Sequence, residues 1–131
     1  MLCCFREVIE LNAKAHIAAG VILSTAAHIY LFEYSNITIL ALAPFFSILP
    51  DIDIKNSLSA KLTLNLFTFI KHRTITHSLL FSFLVSLLFY FLSGYFELFI
   101  CCMVSIISHL LLDMTTKKRI KMKWLFFPFF L

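Results

Sequence analysis

The stretch AHIAAGVILSTAAHIYLF, Ala15–Phe32, holds no Asp, Glu, Lys or Arg. An uncharged apolar run of about 18 residues, at about 1.5 Å rise each, is long enough to cross a bilayer as a helix. The residues before it, MLCCFREVIELNAK, mix acids with bases. A secretory leader has a purely basic start and a shorter apolar core. The expectation is therefore a retained span.

Working outward, three more apolar stretches follow. The expected spans cover residues 15–32, 35–50, 78–94 and 97–113, within one membrane domain over 1–131. The second and fourth are short, as for helices that end below the headgroups or sit in a thinned bilayer. No ten-residue alternating pattern recurs, so the spans read as helices and not as barrel strands. EYSN at Glu33–Asn36 and SGYFE at Ser93–Glu97 are tight connections, which pair the helices into two hairpins. The fold class expected is all-α: a four-helix transmembrane bundle of two hairpins. Between them lies Asp51–His77, where Leu62, Leu64 and Leu66 alternate like a strand while Leu58, Leu62, Leu66 and Ile70 repeat like a helix; a lone strand beside a membrane has no partner, so the segment reads as amphipathic and interfacial. The tail combines a basic cluster with Trp124 and phenylalanines, a composition suited to the membrane surface.

Composition agrees. Of 131 residues, 61% are hydrophobic, 14% are charged and 16 are Phe, against about 45–50% apolar and about 25% charged in soluble domains. The mean hydropathy is +0.95. The net charge of +4 comes from bases flanking the apolar runs, which points to anionic lipid headgroups as partners, with no nucleic acid expected. All eleven bases lie before the first span, in the central segment or in the tail, which places both termini in the cytoplasm. The cysteines form adjacent pairs, Cys3–Cys4 and Cys101–Cys102, without zinc-knuckle spacing.

One class of residue breaks the apolar pattern. SILPDIDIK, Ser47–Lys55, closes the second run with Asp51 and Asp53. His16 opens the first span, His72 and His77 lead into the third, and His109 and Asp113 end the fourth. All three aspartates and four of the five histidines thus fall at one end of the expected bundle. His109 and Asp113 are four residues apart, on one helix face. Asp51 and Asp53, if extended, point the same way. Imidazole with carboxylate is the ligand set of catalytic zinc and of other divalent sites. More than four candidate ligands allow one or two ions. His28, away from this end, reads as a packing or hydrogen-bonding residue. No H-E-x-x-H, G-x-S-x-G or phosphate-binding glycine loop occurs.

AHIAAG at Ala15–Gly20, SILPDID at Ser47–Asp53, HRTITHSLLF at His72–Phe81, SHLLLDMTT at Ser108–Thr116 and LFFPF at Leu125–Phe129 together resemble the YdjM-type family. That is a bacterial inner-membrane metal-dependent hydrolase family, also described as LexA-regulated. The resemblance implies metal-dependent hydrolysis in the inner membrane. It places His16, Asp51, Asp53, His72, His77, His109 and Asp113 at the family's polar positions, with Arg73 and Ser78 beside them. Ile54 and Thr74 stand where the family often has histidine and glycine.

The function expected is hydrolysis of phosphoester or ester bonds in a lipid-like substrate at the cytoplasmic interface. The ligand set expected is His16, Asp51, Asp53, His77, His109 and Asp113, holding zinc, or else manganese or magnesium. Asp51 or Asp53 is the expected base, Arg73 the anion contact, and His72 a ligand or acid. The alternatives are a structural metal site without catalysis and, ranked last, a metal or proton carrier. A carrier needs polar groups through the membrane's depth, and Ser82, Ser86 and Ser105 look scattered.

Overall fold

The computed structural model describes residues 2–33, 36–53, 61, 64 and 76–115. Five α-helices occur among them: α1 (Leu2–Phe32), α2 (Ile37–Leu40), α3 (Ala43–Ile48), α4 (Leu79–Ser93) and α5 (Phe96–Thr115). A 3-10 turn, Leu49–Asp53, follows α3. No strand occurs among the described residues. The interfacial segment and the tail lie almost wholly outside them.

Two helical stretches are long and apolar enough to cross a membrane, Ala13–Phe32 and Phe96–Thr115, with 20 residues each. At about 1.5 Å per residue, each reaches about 30 Å, the thickness of the hydrocarbon layer. The last helix is longer than its uncharged run, because Asp113 is buried and the helix continues past it. The third is the short one, 15 residues from Leu79 to Ser93.

The expected second span is not one helix. Pro44 has no N–H to donate to Leu40, so the ladder breaks, and Leu42 instead donates to Ile39 at 3.0 Å. The chain restarts as α3 with Pro44 in its first turn. A second correction concerns Asp51 and Asp53. They lie in the 3-10 turn and not in extended backbone, where side chains two apart do not share a face.

α5 is the central helix, packed against α1, α3 and α4. Cys101, Cys102 and Ile106 on α5 are completely buried, and the cysteines are free thiols packed as small apolar residues. Phe46 on α3 meets Phe89 on α4 edge to face at 4.9 Å. The burial pattern differs from that of a water-soluble bundle, with large apolar side chains on the outside as well as in the core. Tyr30, Phe91 and Leu92 are exposed by 86%, 74% and 74%, while Ser24, Ser82, Ser86 and Ser105 have no exposure. An apolar outer surface with serine hydroxyls held inside the core suits a hydrocarbon solvent, in which hydroxyls satisfy themselves on helix carbonyls.

The two hairpin connections meet at one end. Asn36 caps α2, accepting from the Ile39 N–H, and its Nδ2 donates to Glu97 Oε2 at 3.1 Å. Gly94 closes α4 at φ 75°, in the left-handed region, and its N–H donates to the Tyr90 carbonyl at 2.7 Å. A Cβ at Gly94 would meet nothing within 4 Å. Gly94→Ala is therefore expected to cost only the backbone term, roughly 1–2 kcal/mol, read as a lowered thermal midpoint in detergent.

Candidate metal centre

Opposite the hairpin connections, five side chains from four parts of the chain converge. α1 contributes His16, the 3-10 turn Asp51, the residues before α4 His77, and α5 both His109 and Asp113. Each placement has a local cause. Ser78 caps α4, its Oγ accepting from the Phe81 N–H at 3.1 Å, which fixes the helix start and sets His77 just outside it. His109 and Asp113 share the inner face of α5 through their four-residue spacing. Pro50 and the 3-10 turn carry Asp51 back beneath α5.

The distances are short and mutual. His77 Nε2 lies 3.6 Å from Asp51 Oδ1 and 3.3 Å from Asp113 Oδ2. His109 Nε2 lies 3.4 Å from Asp51 Oδ1 and 3.7 Å from Asp113 Oδ2. His16 Nε2 reaches the other oxygen of Asp113, Oδ1, at 3.2 Å, and its ring stacks on His109 at 3.9 Å. The three imidazoles are buried, and the Asp51 and Asp113 side chains are largely so.

One hydrogen bond decides the chemistry of His109. Its Nδ1 is 2.6 Å from the Ser47 carbonyl. A carbonyl only accepts, so Nδ1 carries the proton, and on a neutral ring Nε2 presents a lone pair. That Nε2 has no hydrogen-bond partner among the described residues and faces two carboxylates. A lone pair turned toward two anions is repulsive unless positive charge lies between them, supplied by a second ring proton or a cation. Ligand atoms bonded at about 2.0–2.2 Å in a tetrahedron stand about 3.3–3.6 Å apart. The nitrogen–oxygen separations of His77 and His109 from Asp51 and Asp113, 3.3–3.7 Å, lie close to that spacing, and the ligand atoms of these four residues all lie within 4.8 Å of one another. The donor set fits a divalent cation. The Ser47 carbonyl behind His109 is the kind of outer partner that fixes a ligand histidine, and Thr76 Oγ1, 3.1 Å from His77 Nδ1, stands similarly behind His77.

His16, Asp51, His77, His109 and Asp113 were all expected here from the sequence and are brought together. Asp53 ends the 3-10 turn, but its side chain, like His72 and Arg73, lies outside the described residues. Ser78 caps a helix. Three contributors were missed: the Ser47 carbonyl, Thr76 and Gly20. Gly20 lies one turn from His16, where α1 and α3 touch: a Cβ there would overlap Ser47 Oγ and stand 2.8 Å from Ser47 Cβ. The signal for it was present, a glycine four residues after His16 on the same helix face.

A family model described as YdjM inner membrane protein matches residues 11–130. No curated protein and no solved structure matches the chain. The chain belongs to the YdjM inner membrane protein family.

Proposed function

We propose that this protein is a membrane-embedded, metal-dependent hydrolase acting at the cytoplasmic boundary of the inner membrane, with four spans and both termini inside the cell. The observation that carries the reading is the buried set of His77, His109, Asp51 and Asp113 ligand atoms within 4.8 Å of one another. Charged and imidazole groups at a membrane edge are costly to bury and are usually functional. Zinc is the first candidate for this donor set, with manganese or magnesium next. A divalent cation held there supplies Lewis-acid polarisation and lowers the pKa of a water molecule.

The chain's own groups supply the rest. His77, His109, Asp51 and Asp113 hold the cation. His16 either adds a ligand through its Nε2 or holds Asp113 Oδ1 in place. Asp53, or Asp51 if it stays outside the cation's ligand set, takes the proton from the attacking water. Arg73 and His72 meet the anionic oxygen and the leaving group. A site at the membrane edge, beside apolar helix faces, suits a lipid-like substrate with a phosphoester or ester head. The partners are membrane lipids.

A second reading, a structural site that ties four elements together, is favoured by the presence of four protein ligands from three separate parts of the chain, since closed sites use every position. Purified protein supplied with zinc, manganese or magnesium separates the two in a phosphatase and esterase screen. The wild type is expected to turn over, and the His109→Ala/Asp113→Ala double variant to lose both bound metal and turnover. Turnover retained in the double variant rejects the hydrolase assignment. Metal retention without any reaction supports the structural site.

A further inference from the structure

His16 and His109 stand face to face in the metal centre. Their ring centroids are 3.9 Å apart and the rings are tilted by only 22°. An imidazole binds a metal ion along its nitrogen lone pair, in the plane of the ring, with a bond of about 2.0–2.1 Å. The planes of two stacked, near-parallel rings do not meet that close to either nitrogen. One ion therefore does not serve both rings. The ligand atoms of Asp51, His77, His109 and Asp113 lie within 4.8 Å of one another, and His16 is outside that set.

The far nitrogens of the rings separate them in the same way. His109 Nδ1 donates to the Ser47 carbonyl at 2.6 Å, and His77 Nδ1 is 3.1 Å from Thr76 Oγ1. A ligand histidine has such a partner, because with Nε2 on the ion the proton sits on Nδ1. His16 Nδ1 is buried with no hydrogen-bond partner among the described residues. As a ligand through Nε2, His16 would bury an N–H with nothing to accept it. As a donor through Nε2, it leaves only a lone pair there, and protein interiors tolerate an unpaired acceptor more readily than an unpaired N–H. A donor is also what faces it best. Asp113 Oδ1 is 3.2 Å from His16 Nε2, and an ionised carboxylate only accepts. The other oxygen, Oδ2, faces His77 and His109 at 3.3 and 3.7 Å.

We propose that His16 is a positioning residue of the metal centre and not a ligand: its Nε2–H holds Asp113 Oδ1, and its ring backs the ring of His109. Held at Oδ1, Asp113 presents Oδ2 alone to the cation and fills one coordination position. A carboxylate free to turn can offer both oxygens, as it does in calcium sites. The stack keeps the His109 ring at the angle that aims Nε2 between the two carboxylates. The sequence places His16 among the ligands because it counts donor types at one end of the bundle and carries no ring planes. The assignment rests on the cation reading of this centre and needs no hydrolysis.

The test is metal binding by the full-length protein in detergent, with zinc and then manganese as the probe. Titration gives the affinity, elemental analysis the metal-to-protein ratio, and X-ray absorption the number of imidazoles around the ion. Wild type is expected to hold the ion with the two imidazoles of His77 and His109. His16→Gln, whose amide nitrogen can donate to Oδ1, is expected to keep the ratio, the imidazole count and the wild-type affinity. His16→Phe, which keeps a ring against His109 but has no donor, is expected to keep the ratio and the count while affinity falls about 10–100-fold. The wild-type and His16→Gln counts decide the matter even where His16→Phe does not fold. Three imidazoles in wild type, a ratio or count that drops in His16→Gln, or undiminished affinity in His16→Phe overturns the assignment and leaves the hydrolase reading in place. A wild type that takes up neither ion overturns the assignment together with the cation reading beneath it.

Discussion

Chelation is expected to lower the thermal midpoint of the purified protein, because the buried centre joins elements that are far apart in sequence. His16 is on α1, Asp51 on the turn after α3, His77 before α4, and His109 and Asp113 on α5, with nitrogen–oxygen separations of 3.2–3.7 Å. Removing a cation from between two buried carboxylates leaves their charges opposed and turns the His109 Nε2 lone pair toward both. A ligand present at a hundred times its dissociation constant stabilises the folded state by about 2.7 kcal/mol, and a chelator removes that whole term. The measurement is thermal unfolding in detergent before and after EDTA, followed by titration with zinc, manganese and magnesium. Asp113→Asn is expected to abolish the EDTA effect. The substitution removes a charge that touches His16, His77 and His109, and its amide places a donor where an acceptor is needed. Even outer partners of metal ligands cost about 10–100-fold in affinity when lost, so a ligand itself is expected to cost more. A wild type indifferent to EDTA, or an Asp113→Asn variant with the same shift as wild type, would remove the cation from this centre.

The parts of this centre differ in how far they were legible from sequence. His109 and Asp113 were, because four-residue spacing on a helix fixes a shared face whatever surrounds it. His16 and His77 were placed by counting which ends of the spans lie together. The conformation at Asp51 was not. An aspartate pair two apart after a proline reads as extended chain, yet the turn is 3-10 and continues directly from α3. The break at Pro44 was written in the residue itself, which lacks the donor a continuous helix needs, but a long apolar run concealed it. The Ser47 contribution had no sequence signature, because the carbonyl that holds His109 belongs to the backbone and any residue would supply it. The serines looked scattered along the chain. Ser78, Ser82 and Ser86 nonetheless recur every four residues, and all three are completely buried, so their spacing carried the phase that their separation obscured.

Gly20→Ala is expected to disturb both the fold and the metal centre through one contact. The added Cβ would overlap Ser47 Oγ and lie 2.8 Å from Ser47 Cβ. Ser47 has little freedom to yield, because its Oγ donates to the Ala43 carbonyl at 2.6 Å and it sits in the short helix α3. Relief requires α3 to move away from α1. Overpacking of this kind typically costs about 1–3 kcal/mol. The same movement carries off the Ser47 carbonyl, the acceptor that holds the His109 ring with Nε2 toward Asp51 and Asp113. Gly20→Ala should therefore weaken cation binding although Gly20 touches no ligand atom. Ser47→Gly supplies the control. It removes both clashing atoms but keeps the carbonyl, at a cost of about 1 kcal/mol for glycine within a helix. The Gly20→Ala/Ser47→Gly pair is expected to recover cation affinity and most of the lost stability relative to Gly20→Ala alone. Paired thermal unfolding and metal titration of the four proteins measure this coupling. If the double variant binds cation no better than Gly20→Ala, the approach of α1 to α3 does not position His109, and some other contact must set the angle of that ring.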